Sequence, residues 1–476
     1  MAVRLRNIDE KNWRAQIMYK PIYHYFPGKN WMNDPNGVCW YGGKYHLFYQ
    51  YNPQSDQWGN LHWGHAVSDD CIHWKHCPEA LFPSTELGET HCFSGCASTD
   101  GKLPILYYTS VGEEKDGRDS RYGAQQWCAI SEDGMYTWEK YEGNPILTKE
   151  IHGDLPVLEW RDPFVWKEDD GWYMVLGAEI EGRGNVLLYY SKDQFHWKFI
   201  HVLMKSDRPK DRILECPNYF ILNGKAVLVV SPDDMPCYWM GTQKDGHVFC
   251  PETFGIIDHS GWDGFYAPNS FVDPKGRRIM IGWLTEKSRG DLKIPGWQGV
   301  QSLPRELTVE KDGLHMRPID EVKSLRGKGE IWENLVVNGI WESPLNSLAA
   351  EIVVELEIQQ IHSRFEIQVY ANEDGTEETT IRYNPDADEI VIDRSRSNST
   401  MLTDSSPLTV QGTHSEEGKL QIRSFIDHST LEVYINEREV ISTRIYPNQE
   451  DSCQIRFRTE HECVIRQAEI YLLNGI

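Results

Sequence analysis

Between residues 30 and 320 the chain is written in short apolar and aromatic runs separated by clusters of Gly, Pro, Asn and Asp. No stretch there sustains a helical apolar period, so the runs read as strands. One turn recurs among them. Ser68-Asp69-Asp70-Cys71-Ile72-His73-Trp74, Ser131-Glu132-Asp133-Gly134-Met135-Tyr136-Thr137-Trp138 and Ser191-Lys192-Asp193-Gln194-Phe195-His196-Trp197 share a Ser-x-Asp opening and a closing Trp. Each follows a strand-like run, at 62–67, 126–130 and 186–190. A recurrence of about sixty residues fits one four-stranded blade per unit, and some 300 residues at that spacing make about five blades. The expectation is an all-β chain with a propeller over residues 1–323.

After that the texture changes. Residues 324–345 carry Leu325-Arg326-Gly327-Lys328-Gly329 and Asn338-Gly339 and read as a linker. Over 346–476, the runs at 349–356, 365–370, 420–426, 430–435 and 454–457 alternate apolar and polar residues. That pattern predicts an antiparallel β-sandwich with one buried face per sheet.

Charge and cysteine usage narrow the partners. The 476 residues include 48 basic against 72 acidic side chains, a formal net charge of −24. Such a surplus argues against nucleic acid or an anionic membrane as partner. Aromatics make up 12% of the chain, a composition suited both to β-structure and to stacking against sugars. The 11 cysteines are scattered and form no Cys-x-x-Cys pair, which reads as free thiols in a reducing compartment. No apolar core of a signal peptide is visible in the first twenty residues, and no apolar run is long enough to span a membrane. The localisation expected is therefore cytoplasmic.

Three carboxylates stand apart from the rest. Asp34 lies in Trp31-Met32-Asn33-Asp34-Pro35-Asn36-Gly37, where Pro35 biases it to an extended conformation and Asn36-Gly37 reads as a tight reversal. The next segment, 38–51, reads as strand, Gly42-Gly43 turn, strand. Asp162 lies in Glu159-Trp160-Arg161-Asp162-Pro163-Phe164, again expected to be extended before a proline. Glu215 ends an apolar run in Leu214-Glu215-Cys216-Pro217. Apolar neighbours desolvate a carboxyl group and raise its pKa, which suits a general acid. Two such groups flanking a glycosidic bond are the minimum for glycoside hydrolysis. On the residues alone, the reading is a glycosidase.

These three motifs together resemble the signatures of glycoside hydrolase family 32, the invertases and fructan hydrolases. Segments 45–53, 58–66, 93–95, 265–268, 282–283 and 302–307 fit the same family in order, as do 427–433 and 443–447 in the second half. The resemblance implies a five-bladed propeller with a funnel-shaped site, then a β-sandwich. It implies retention, with carboxyl groups roughly 5–5.5 Å apart. By position it implies Asp34 as nucleophile, Glu215 as general acid/base and Asp162 as transition-state stabiliser. It also implies sugar contacts from Trp31, Asn33, Gln50, Trp58, Asn60, Phe93, Ser94, Arg161, Cys216, Tyr266 and Trp283. The substrate implied is a terminal β-fructofuranosyl unit of sucrose or short fructo-oligosaccharides, with fructan exo-hydrolysis or fructosyl transfer as alternatives. No cofactor is implied. Leu214 and Asn218 depart from the Trp and Asp common at their positions.

A metal site is not expected. His62 and His65 are three apart on a predicted strand and face opposite sides, so they cannot share one ion. An inverting five-bladed arabinan- or xylan-cleaving enzyme and a non-catalytic sugar-binding propeller are the rival readings. Sucrose 6-phosphate is not chosen, for want of an evident phosphate cradle. The sequence leaves the oligomeric state open, a homodimer included.

Overall fold

The computed structural model describes residues 18–112, 123–361, 363–400, 402–413 and 418–476. Of the N-terminal residues read for a targeting signal, 1–17 lie outside these. Among the described residues no helix is long and apolar enough to cross a membrane.

Five antiparallel blades follow one another along the chain. Their first strands are Asn30–Tyr41, Glu89–Ser98, Val157–Glu168, Glu215–Leu222 and Phe265–Val272. Each touches the next in ring order, and the fifth touches the first, so these strands line the axis of a five-bladed propeller. The ring is latched by one short segment. Trp297 and Gln298 pair in parallel with Asn30 and Trp31 of the first blade, and Val300 and Gln301 pair with Leu284 and Trp283 of the fifth.

All five axial strands share an irregularity that shapes the site. The ladder slips between Met32 and Pro35, Cys92 and Gly95, Arg161 and Phe164, Glu215 and Asn218, and Tyr266 and Asn269. Pro35, Pro163, Pro217 and Pro268 sit in or beside four of these bulges. A proline has no N–H to give the ladder, so a bulge is where a strand tolerates it. The bulge turns the preceding side chain towards the axis.

Two local expectations are corrected by this. Asn36-Gly37 is a second bulge inside a continuous strand, not a reversal, and Asp34 lies within that strand. Gly37 has φ +52°, and a Cβ there would come within 3.3 Å of the Ala97 backbone nitrogen in the second blade. The positive φ signalled by Asn-Gly is therefore used for close blade packing. Asp162 is not extended either: its φ is +64°. The bulge demands a left-handed residue there, and this overrides the bias from Pro163. The Gly42-Gly43 turn is where the sequence places it, joining Tyr41 to Lys44.

The Ser-x-Asp turns join the third and fourth strands of the first three blades. In each the aspartate caps the turn: Asp70 Oδ1 accepts the Ile72 and His73 N–H groups at 3.0 and 2.8 Å, and Asp193 Oδ1 those of Phe195 and His196 at 3.0 and 2.9 Å. Asp133 does the same for Tyr136 and Thr137.

The C-terminal part is a β-sandwich. Ala349–Glu357, Lys419–Asp427, Thr430–Ile435 and Glu439–Arg444 form one layer; Phe365–Ala371, Thr379–Asn384, Glu389–Asp393 and Leu408–Gln411 form the other. The long strand Gln454–Leu473 serves both, pairing with Phe365–Ala371 through its first half and with Ala349–Glu357 through its second. Ile352, Val354, Ile422 and Val433 of one layer share a core with Ile367, Val369, Ile381 and Ile392 of the other. The stretch read as a linker is in fact strand Arg326–Glu342, paired along Gln454–Leu473. It is an edge strand with Ile331, Val336 and Ile340 more than half exposed, so its apolar alternation is weak beside its glycines.

The N-terminal segment staples the two parts together. The Ile22, Tyr23 and His24 N–H groups donate to the Asp427 carboxylate at 2.8, 3.0 and 2.9 Å.

Candidate active site

The three singled-out carboxylates come from blades one, three and four and meet at one end of the axis. They line a cavity of about 190 Å³ with Asn33, Gln50, Trp58, Phe93, Ser94, Arg161, Cys216, Trp262, Tyr266 and Trp283. Every predicted sugar-contact residue is on this wall except two. Trp31 lies behind it, its ring edge-on to Trp283 with centroids 6.1 Å apart. Asn60 is held at φ +44° with its amide 3.3 Å from His62 Nε2. His62 and His65 go to separate partners, Glu79 and His46. Trp262 was missed by sequence reasoning. It sits on a short turn of Gly261–Asp263, 39% exposed and edge-on to Tyr266 and Trp283. An aromatic in a Gly- and Asp-rich loop just before Tyr266 was the available signal.

Each carboxylate has its own partners. Ser94 Oγ donates to Asp34 Oδ2 at 2.6 Å, and the Gln50 amide donates to Ser94 at 2.5 Å. Asp162 Oδ2 accepts the Cys216 N–H at 2.9 Å. The Cys216 thiol lies between two acids, 3.6 Å from Asp162 Oδ2 and 3.9 Å from Asp34 Oδ2. Burial beside these acids pushes the thiol pKa well up, so it stays protonated and acts as a weak donor. Arg161 donates from Nε and Nη2 to Glu215 Oε1 at 3.0 and 2.7 Å, and from Nη1 to Glu159 at 2.5 Å. Glu159 in turn accepts from Arg212, which also reaches Glu179. The other oxygen of Glu215, Oε2, lies 2.6 Å from the Tyr266 hydroxyl.

Three carboxylates facing a single guanidinium cannot all ionise easily. Burial pushes Asp34 up to about 7, against the lowering bond from Ser94, and the charges of Asp162 and Glu215 add to the rise. Burial likewise raises Asp162 to about 6, with Arg161 opposing it.

The two departures from the family pattern have local explanations. Leu214 is fully buried in the core between blades three and four. There its side chain packs on Gly184, where an added Cβ would lie 2.9 Å from Leu214 Cγ. Asn218 faces away from the cavity. Its amide donates to the Cys216 and Pro268 carbonyls at 3.0 Å each, and its Oδ1 accepts from the Ser270 N–H and Oγ at 2.8 and 2.9 Å. An amide can donate and accept at once; an aspartate could not.

Acids paired across a small axial pocket with an aromatic wall define a sugar-cleaving hydrolase built on a propeller. Comparison with known proteins agrees. Residues 24–318 match "Glycosyl hydrolases family 32 N-terminal domain" and residues 321–471 match "Glycosyl hydrolases family 32 C terminal". The chain belongs to glycosyl hydrolase family 32. It is 34% identical to a sucrose-6-phosphate hydrolase of Escherichia coli, over 92% of this chain and 91% of that one. It is 33% identical to a raffinose invertase of the same organism, over 98% of both. Among solved structures, a GH32 beta-fructofuranosidase of Bombyx mori superposes with a TM-score of 0.81 at 30% identity, covering 98% of this chain and 96% of the other.

Proposed function

We propose that this chain is a retaining β-fructofuranosidase acting on terminal fructosyl units of sucrose and short fructo-oligosaccharides. The observation that carries the reading is the convergence of Asp34, Asp162 and Glu215 with Arg161 in one pocket. The relatives named above are, by their names, a sucrose-6-phosphate hydrolase, a raffinose invertase and a beta-fructofuranosidase, which supports a fructoside substrate.

Asp34 attacks the anomeric carbon, forming a C–O bond as the glycosidic C–O bond breaks. Glu215 gives its proton to the departing oxygen. Water then attacks the same carbon, its proton passes to Glu215, and the ester to Asp34 is cleaved. Oε1 of Glu215 is engaged by Arg161, so Oε2, beside Tyr266, carries the proton. Asp162, fixed by the Cys216 amide, accepts bonds from ring hydroxyls and offsets positive charge at the anomeric centre. Asn33 Oδ1 and Trp283 Nε1 are buried without a partner among the described residues. A bound sugar's hydroxyls satisfy both, one as donor and one as acceptor. The small cavity takes one ring, which favours exo-cleavage, and Trp58 and Trp262 stand exposed at its mouth to receive the leaving group.

The propeller, ending near residue 323, carries the chemistry in this reading, and the sandwich supports it. A cytoplasmic site of action accords with the eleven cysteines, all of them free. Product analysis on sucrose, 1-kestose, inulin and levan, with and without excess acceptor sugar, tests the proposal. Free fructose from sucrose and 1-kestose but not from the polymers supports it. Steady release from inulin or levan means an exo-fructanase, lengthened oligomers mean a transferase, and no product from any of them overturns it.

A further inference from the structure

A second cavity, larger than the first, lies further along the same axial strands. It has a volume of about 530 Å³ and is lined by residues from all five blades, among them Trp40, Trp166, Phe220 and Gln243. Arg278 faces it from the second strand of blade five, its guanidinium 4.3 Å above the Phe220 ring. No carboxylate among the described residues pairs with Arg278. Burial without a counter-charge lowers its pKa to about 10, and no neighbouring acid opposes this.

That isolation contrasts with three other arginines of the same blade. Arg277, next in sequence, is held by Asp273 and Glu321; Arg305 by Asp258 and Glu432; Arg317 by Glu306. A partly buried guanidinium left without a counter-ion is free to take one, and its planar fork matches carboxylate and phosphate oxygens. The nearby polar groups add donors. Lys167 lines the cavity with its ammonium on the Asp100 carbonyl, and the Gln243 Oε1 is already taken by the Tyr219 hydroxyl, which leaves its NH₂ to donate. Two acids also line the wall. Glu168 is engaged by Trp166 and His247, and Asp100 is suited to accept from a ligand hydroxyl.

We infer that this distal axial cavity is a binding site for a small hydroxylated anion, a carboxylate or a phosphate ester, held by Arg278. The site is separate from the sugar-cleaving pocket and does not depend on the reading proposed for it.

The test is calorimetric titration of the full chain with inorganic phosphate, fructose 6-phosphate and citrate, in excess fructose to occupy the catalytic pocket. It is repeated on Arg278→Met and Arg278→Lys, with melting temperature followed in the same buffers. At least one anion binds the wild type, and Arg278→Met weakens it by about tenfold or more. Arg278→Lys, keeping the charge without the fork, falls between. Preference for phosphate and fructose 6-phosphate over citrate assigns a phosphate site, and the reverse a carboxylate site. Without anion, Arg278→Met melts at or above the wild-type temperature, because an unpaired, partly desolvated charge is gone. No binding to the wild type, or binding unchanged in Arg278→Met, overturns the inference. So does a wild type whose melting temperature no anion raises, together with an Arg278→Met protein that melts lower, which makes Arg278 a packing residue only.

Discussion

Arg161 places two hydrogen bonds on a single oxygen of Glu215, from Nε at 3.0 Å and Nη2 at 2.7 Å, and leaves the other oxygen to Tyr266. The two carboxylate oxygens are thereby made inequivalent. One is locked to a guanidinium that Glu159 holds in place, and the other is the one the proposed mechanism uses to carry the proton.

Removing the proton carrier should be separable from removing the stabiliser. Glu215→Ala should lose roughly 10³-fold or more in turnover of sucrose. With a fructoside bearing a good leaving group, added azide should restore turnover, since an external nucleophile no longer needs general-base help. Asp162→Ala should lose activity comparably without azide rescue. Rescue of Asp162→Ala instead would mean that the two roles are exchanged.

Asp34 trades stability for function. Its carboxyl is raised to about 7 in the fold, above the unfolded value of about 3.9. Such a group favours the fold fully below pH 4 or so, and that contribution is lost as pH rises through about 7. Asp34→Asn should therefore melt higher than the wild type at pH 7.5 and show little difference at pH 4, while being inactive. Since attack requires the carboxylate, wild-type kcat/KM should climb with pH towards about 7. A variant less stable than wild type at pH 7.5 would contradict the burial argument.

Asn218→Asp should destabilise, although aspartate is common at this position in the family. The carboxylate would face the Cys216 and Pro268 carbonyls with nothing to donate, at a cost of roughly 2–4 kcal/mol. Denaturant midpoints of the two proteins measure it directly, and equal midpoints would mean that the latch between blades four and five carries no weight.

His24 is buried between Asp427 and Glu432, its ring nitrogens 2.9 and 3.0 Å from their oxygens. Burial opposes its charge, but the bonds and charges of the two acids prevail and raise its pKa. Its contribution is full below the unfolded histidine value of about 6.5 and is lost as pH rises through the raised one. Glu432, lowered to about 2 with Arg305 and His24 beside it, contributes above its unfolded value near 4.3 and loses that only as pH falls towards 2. Melting curves should show wild-type stability falling on the alkaline side, and His24→Gln should flatten that fall. An unchanged slope would remove His24 from the account.

Much of the site was legible because chemistry and backbone geometry sit in the same short segments. Asp-Pro, Asp-Pro and Glu-Cys-Pro mark both the carboxylates and the bulges that aim them. The Ser-x-Asp turns gave the blade spacing because an aspartate capping two N–H groups needs that local order. Local signals failed where packing between blades decided the outcome. Nothing within Asn36-Gly37 says that its positive φ serves contact with Ala97, and nothing beside Pro163 announces that Asp162 must be left-handed. The strand at 326–342 was hidden for another reason: an edge strand with an exposed face carries little periodic pattern. Arg278, whose isolation is visible only in three dimensions, left no sequence trace.

The central claim is that Asp34 becomes covalently linked to the fructosyl unit. Intact and peptide mass spectrometry of Glu215→Gln, quenched during turnover of an activated fructoside, tests it. The account predicts one added anhydrofructosyl unit, mapped to the peptide containing Asp34 and absent in the Asp34→Asn double variant. An adduct on Asp162, or no adduct together with an inverted anomer as first product, would contradict it.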